Sequence, residues 1–434
     1  MNVLSVCEFE SLPVVAVLDS PQMRAMTHRE VDALHAIGSR LGIRIIEQVS
    51  RRYVRFQQFV GLVQVDGRGI ELLPKIESAG EVATTSVVRH NLLKMLFMAA
   101  DTTVNVPGPA DSELSHVGWL DVFIRIFCDT LAAQVRKGII KRYREERDDL
   151  AVVRGNILLD EQVSRNLVHR ERVACEFDEL DTDHPLNQTF KLALLKMLPC
   201  CVLASTQRMV RELAVEFDSV SLRPATSQWW RGVTLDRLGS RFQNALRMAQ
   251  VFLDGTSPDV TAGGAASLAM LFDMGVLFEK YIGHISRIAL ASEGLKVHLQ
   301  HARHFLGRWH DSGQRAFMLK PDIVVSRNHV PVCIGDTKWK RLANADRKLG
   351  VSQADLYQML AYAGRYACDR VLLLYPYQRT ADLAAPISRL LAFEEQSVTV
   401  LIAQVTLVDL STVPLQLSHL FALAILAQEE RPTS

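Results

Sequence analysis

The chain of 434 residues has seven cysteines and no Cys-x-x-Cys among them. An odd, scattered set excludes a disulfide framework or a zinc ribbon and reads as a reduced, cytoplasmic protein. His301 and His304 lie three apart, but no cysteine or acid pattern completes a zinc site around them, so they read as structural. No apolar run approaches the length of a membrane span, and the N-terminus lacks a basic-then-apolar leader. The chain has no Gly-x-x-x-x-Gly-Lys-Ser/Thr loop, so it carries no such cradle for nucleotide phosphates. Net charge is also scarce: 49 basic and 48 acidic residues leave +1. A polyanionic partner would have to be met by basic residues clustered on one face.

What is present is ordinary for a globular protein, with 48% apolar and 22% charged residues. The length suggests two or three domains. The expected fold class is α+β or mixed, in three segments. Residues 1–80 look β-rich, with strands over Tyr53–Val65 and Gly69–Ile76 around the turn Asp66-Gly67-Arg68. Residues 81–255 look mainly helical, with amphipathic helices over Val87–Ala100 and Trp119–Val135 and an apolar helix over Leu186–Leu203. Within them, Arg136–Asp149 reads as a solvated helix end or loop, and Trp229-Trp230 as packing residues. Gly255-Thr256-Ser257-Pro258-Asp259 and Gly263-Gly264 form the best linker. Residues 265–434 would be an α/β domain, with Val398–Leu407 as a late strand and a frayed tail.

The chemistry concentrates in two short stretches, Lys320-Pro321-Asp322-Ile323-Val324-Val325 and Cys333-Ile334-Gly335-Asp336-Thr337-Lys338-Trp339-Lys340. Each reads as a strand, with a turn over Ser326–Pro331. Residues two apart on a strand share a face, so Asp336 and Lys338 should point together with Thr337 turned away. A hairpin would bring Asp322 alongside. Two carboxylates, with a backbone carbonyl beside the second, suit Mg²⁺, a hard cation that keeps several waters. A nearby ammonium suits the charge that builds on an attacked phosphate, or the orientation or deprotonation of a water. The pattern alone is weak. A second copy, Asp346-Arg347-Lys348, lies in a polar stretch and reads as a solvated loop, and a solvated hairpin explains the first copy equally well.

The flanks add to the metal-site reading. Leu268, Leu271, Phe272, Gly275, Phe278 and Ile282 recur at helical spacing, and Glu279 lies on the same stripe. A carboxylate on a buried face is costly unless it is paired or binds a metal, and a salt bridge to Lys280 or an arginine is the alternative. Gln353–Ala367 reads as a helix with Gln358 and Tyr362 one turn apart, within reach of DNA or a water. Val371–Tyr375 is a fully apolar run, as in a central strand. Lys338, Lys340, Arg341, Arg347 and Lys348 are the candidate basic residues near the hairpin.

This order of helix with Glu, strand with Asp, strand with Asp-x-Lys, helix with Gln and buried strand resembles the PD-(D/E)xK nuclease core. Pro321-Asp322-Ile323, Asp336-Thr337-Lys338-Trp339-Lys340 and Asp355–Ala363 resemble the nuclease region of the McrC family more closely. Outside that region, Val153-Arg154-Gly155-Asn156 with Gln162 and Asn166, and Cys175–Asn187, are similar to McrC stretches. Phe59–Val63 and Ile70–Ile76 are similar to its opening strands.

The resemblance implies a Mg²⁺-dependent DNA endonuclease subunit of an McrBC-like restriction system, acting on modified DNA. Its partner would be an McrB-like AAA+ GTPase hexamer whose hydrolysis it stimulates. Asp322 and Asp336 would hold the metal, Lys338 would act in the chemistry, Gln358 would position, and Glu279 would be a further ligand or ligand-positioner. A β-rich N-terminal finger would enter the motor ring, with Arg51, Arg52, Arg55 and Lys75 as contact candidates. For that family the chain looks long, with additions around Leu203–Ala262 and after Arg379. The rival readings are a repair or recombination nuclease of the same superfamily and a non-cleaving activator of an AAA+ motor.

Overall fold

The computed structural model describes residues 3–20, 23–76, 83–102, 106, 118–166, 168–169, 171–225, 228–256, 260–262, 265–267, 269–343, 346–378, 385–393 and 397–426. It is a mixed α/β structure with several sheets. The chain forms two compact units: Met1–Trp119 with Gly255–Ser434, and Leu120–Asp254. Packing thus groups the chain in two where composition suggested three segments. Among the described residues no helix is long and apolar enough to cross a membrane.

In the first unit, a four-stranded sheet runs in the order Val3–Cys7, Arg68–Leu73, Phe59–Val65, Ala269–Asp273. The last of these strands comes from the far side of the chain. It corrects the helix expected to run from Leu268: residues 269–273 are strand, and the helix is Met274–Ala291. Leu268 itself lies outside the described residues. The helical spacing of Leu271 and Phe272 is a coincidence of strand burial, and Leu271 packs into the N-terminal core. Gly61 makes the pairing possible. At φ +145° with Met270 O only 1.9 Å from where a Cβ would stand, no other residue fits.

Asp273 ends the strand and caps the helix, its Oδ1 accepting from the N–H groups of Gly275 (2.7 Å) and Val276 (3.2 Å). The helix carrying Glu279 therefore starts directly from the N-terminal sheet. That β-rich region also contains a helix, His28–Leu41, with a capping box between Thr27 and Glu30, which composition did not reveal. The expected linker instead holds a short antiparallel pair, Val260–Ala262 with Ala265–Ser267. Ser257, Pro258, Asp259, Gly263 and Gly264 lie outside the described residues.

A six-stranded sheet follows in the order Lys296–Leu299, Ile323–Arg327, Val330–Thr337, Arg370–Pro376, Thr399–Val405, Ser388–Ala392. Its three central strands are parallel and its outer pairings antiparallel. Val371–Tyr375 are fully buried, which accounts for the unbroken apolar run. The helix Gln353–Tyr366 packs Met359, Tyr362, Ala363 and Tyr366 into the core on one side. The helix Val413–Leu426, missed in the sequence because it is apolar nearly all round, follows the last strand.

The second unit corrects the reading of Arg136–Asp149. Arg142–Leu150 is a strand paired along its whole length with Val173–Asp181. Its charges defeat a period-two pattern, but cross-strand ion pairs such as Arg147–Glu176 (2.6 Å) account for them. The expected long helix over Leu186–Leu203 divides into Pro185–Met197 and a separate Ala204–Val215, with a 3₁₀ turn containing Pro199 between them. Trp230 is buried and donates to Asp254 Oδ1 (2.8 Å), and Trp229 donates to Pro224 O (2.9 Å), so both serve packing.

Candidate active site

The hairpin of Ile323–Arg327 and Val330–Thr337 is tighter than the six-residue turn expected. Its loop is Asn328-His329, both with left-handed φ (49° and 67°), the combination that matches the twist of two paired strands. Ile323 faces Gly335, which carries Asp322 to the side of Asp336. The strand ends at Thr337, so alternation lapses there and Thr337 is not turned away from the site. Its N–H and its Oγ1 both donate to Asp322 Oδ2, each at 2.8 Å. No donor among the described residues reaches the other oxygen of Asp322.

Asp336 is almost wholly buried. Lys338 Nζ lies 2.6 Å from its Oδ2, so that buried oxygen is met by the ammonium. Lys338 also donates to Gln358 Oε1 (3.2 Å), Gln358 Nε2 donates to Tyr362 OH (2.8 Å), and Tyr362 donates to Lys320 O (3.2 Å). One turn of helix thus fixes the ammonium through a chain of three hydrogen bonds that returns to the segment just before Asp322.

The electrostatics are those of an acid excess. Burial, then the charges of Asp336 and Glu279, push the Asp322 carboxyl up to about 7 against the two Thr337 hydrogen bonds. Burial also raises Asp336, with Lys338 opposing and Asp355 and Glu279 adding to the rise. Burial depresses Lys338, but the carboxylates of Asp336, Asp322 and Asp355 outweigh it and hold the ammonium above its usual range. Burial and the neighbouring carboxylates raise the Tyr362 hydroxyl to about 12, so it stays a neutral donor.

Glu279 sits half-buried on its helix, and its Oε1 accepts from Gln300 Nε2, not from Lys280. No group of three acidic, histidine or cysteine side chains among the described residues is disposed to hold a metal. The charge of Glu279 raises both carboxyls of the pair. The donor set still suits Mg²⁺, which takes one or two carboxylates and keeps its waters. The excess of carboxylate over ammonium and the raised Asp322 carboxyl both favour a further cation.

Residues that sequence reasoning missed complete the surroundings. Thr337 fixes Asp322. Glu8 is buried and accepts from Lys75 N (2.9 Å) and from Trp339 Nε1 (2.8 Å), the residue next to Lys338. That contact spans 331 positions, and no local pattern announces it. Of the basic candidates, Lys340 pairs with Asp355 (2.9 Å) and Arg341 donates to Gln378 (2.7 Å). Arg347 and Lys348 border a cavity lined also by Leu349, Val351 and Leu390, away from the pair. His298, His301 and His304 group with Tyr366, with ring centroids 4.4 Å apart for His304 and Tyr366.

The other motifs keep the fold. Gly155 (φ +69°) has Glu176 O 2.3 Å from where a Cβ would stand, Gln162 Oε1 accepts from Ala174 N (2.7 Å), and Asn166 donates to Asp149 (2.8 Å). Asn187 Nδ2 donates to Ile140 O (2.9 Å) and Thr182 O (2.8 Å). Arg51 and Arg52 are exposed in the turn between Ile46–Ser50 and Tyr53–Phe56, whereas Arg55 pairs with Glu47 and Lys75 lies beside Glu8.

Residues 54–376 match the family model of the McrBC 5-methylcytosine restriction system component. Among solved structures, a chain from the tetradecameric assembly of Thermococcus gammatolerans McrB AAA+ hexamers with bound McrC is similar, with a TM-score of 0.64 at 18% identity. The match covers 97% of this chain and 99% of that one. A chain of the Thermococcus gammatolerans McrBC complex gives a TM-score of 0.50 at 18% identity over 67% of this chain and 88% of that one. At such identity the likeness speaks for the fold alone. No curated protein matches. The 97% coverage corrects one expectation: the stretches around Leu203–Ala262 and after Arg379 are not both additions relative to that structure.

Proposed function

Since this chain belongs to the McrBC family, we propose that it is the DNA-cutting subunit of an McrBC-like restriction system. In this reading it is a Mg²⁺-dependent endonuclease with a PD-(D/E)xK core, working in the cytoplasm on modified DNA with an McrB-like AAA+ GTPase hexamer. The observation that carries it is the pair of half-buried Asp322 and buried Asp336 with Lys338 against it. The partner follows from the McrB hexamers named with the structure that matches along nearly the whole chain.

Asp322 and Asp336 would hold the metal, with Glu279 adding negative charge behind them. Mg²⁺, when bound, supplies a more acidic water and a counter-charge for the attacked phosphate. Thr337 presents Asp322 by holding one oxygen and leaving the other clear. Lys338 is held protonated by its acidic neighbours, so in the free protein it serves as a charge donor to the phosphate and not as a base. Gln358 keeps the ammonium aimed, and Tyr362 keeps Gln358 in place. The exposed Arg51 and Arg52 are the better placed of the four motor-contact candidates.

The test is cleavage of modified DNA with a cognate AAA+ partner, GTP and Mg²⁺. The wild type should cut, Lys338→Ala should not, and the chain should stimulate GTP hydrolysis. Equal cutting by the two proteins would overturn the role of Lys338, and unchanged hydrolysis would overturn the partnership.

A further inference from the structure

The basic residues expected to meet DNA are mostly engaged elsewhere, yet another group of arginines has no acidic partner. His304–Arg308 and Arg315–Leu319 form an antiparallel hairpin immediately before Lys320-Pro321-Asp322. Arg303, Arg308 and Arg315 of this segment, with Arg365 from the last turn of the Gln358 helix, line one cavity of about 400 Å³. None of the four forms an ion pair among the described residues.

Arg308 and Arg315 face each other directly across the strands, an arrangement that costs stability when nothing neutralises it. The acid of the hairpin, Asp311, is at its tip and accepts from Ser312 N. Trp309 and Phe317 are 55% and 68% exposed, with ring centroids 6.1 Å apart, so this arm offers aromatic faces beside its charges. Phe317 has φ +58°, a conformation that a bulky side chain adopts only under constraint.

We propose that this hairpin, with Arg365, is a clamp for the phosphate backbone of the DNA on which the Asp322–Asp336–Lys338 site acts. The proposal rests on the nuclease reading for the identity of the substrate. Arg365 and Gln358 are seven residues apart and so share a helix face, about 10 Å apart along the axis. That is about three nucleotides of one strand at ~3.4 Å each. The clamp grips the backbone a few nucleotides from the phosphate that meets Lys338. Unpaired arginines in a cavity, two of them repelling each other, are stable neighbours once phosphates lie between them.

The experiment is fluorescence anisotropy of the full chain with a labelled duplex, in EDTA so that nothing is cut, over a series of KCl concentrations. Arg308→Ala/Arg315→Ala should weaken binding about 10-fold or more and lower the slope of log K against log salt by about 2. Arg308→Lys/Arg315→Lys should restore most of the affinity, which separates lost charge from a misfolded arm. Arg347→Ala/Lys348→Ala, removing two charges elsewhere, should leave the slope as in wild type. Wild-type affinity and slope in Arg308→Ala/Arg315→Ala would overturn the clamp. Lys338→Ala distinguishes the two claims, since it should fail to cut while lowering the slope by no more than about 1, the share of a single phosphate contact. A wild-type chain that never cuts, yet binds through these arginines, would sink the nuclease reading and leave the clamp standing.

Discussion

In the N-terminal four-stranded sheet, Glu71 is met by Arg89 through two hydrogen bonds (3.0 and 2.7 Å), and both side chains are buried. A few residues away, buried Glu30 meets Arg68 at 3.3 Å, and its other oxygen accepts from Thr27 N at 2.7 Å. At the end of the six-stranded sheet, within the same compact unit, buried Asp336 and half-buried Asp322 have a single lysine beside them, 2.6 Å from Asp336 Oδ2. The first arrangement gives each buried carboxylate its own guanidinium. The second leaves acid in excess, at a cost that makes sense only if something absent from the chain arrives to balance it. The difference separates charges matched within the fold from charges left in acid excess, without reference to any motif.

The comparison breaks most visibly on activity. Asp336→Asn should abolish cutting, and Lys338→Ala should lower it by at least about 10²-fold, as loss of a group that stabilises transition-state charge does. Circular dichroism should show both proteins folded. A multiple-turnover cleavage assay with the partner motor checks the rates.

The converse change on the paired side should cost stability. Arg89→Ala strands the buried Glu71 and should destabilise the chain by about 3–5 kcal/mol, read from the midpoint of urea unfolding. Cutting should fall only as far as the folded fraction falls.

Glu8 lies between the two patterns, because it has hydrogen bonds and forms no ion pair among the described residues. Burial pushes its carboxyl up to about 7, against the hydrogen bonds from Lys75 and Trp339. In the unfolded chain it loses its proton near 4.5, so the folded state holds the extra proton between these values. Stability from this group should therefore fall as pH rises from about 4.5 to about 7, by about 2–3 kcal/mol, and level off above. Glu8→Gln should flatten that part of the profile. A stability profile that rose with pH in the wild type and not in Glu8→Gln would reverse the assignment.

The smallest effect is expected at Trp339→Phe, which keeps the ring against Phe278 and removes one N–H from buried Glu8. It should cost about 1–2 kcal/mol in urea midpoint and leave Mg²⁺ dependence of cutting unchanged.

How much of this was legible in the sequence follows from distance along the chain. Asp322, Asp336 and Lys338 are close in sequence and lie on or beside two adjacent strands, so a hairpin suffices to bring them together. Gln358 and Tyr362 are one helical turn apart, and the turn is a local property. Gly61 under Met270, and Glu8 under Trp339, are contacts across 209 and 331 positions that no periodicity encodes. The charged strand Arg142–Leu150 was hidden for another reason: its partner's acids, not apolar alternation, make it a strand. Thr337 was misplaced because the rule of alternating faces holds only while the strand lasts.

The most direct measurement pairs thermal unfolding with cutting, each with and without Mg²⁺, for wild type, Asp336→Asn and Lys338→Ala. At Mg²⁺ about 100-fold above its dissociation constant, wild type should gain about 2.7 kcal/mol and cut. Lys338→Ala should keep a Mg²⁺-dependent gain and lose cutting, while Asp336→Asn should lose both. A Mg²⁺ gain that survives in Asp336→Asn, or cutting that survives in either variant, would contradict the assignment of the buried acid pair as the metal-holding centre.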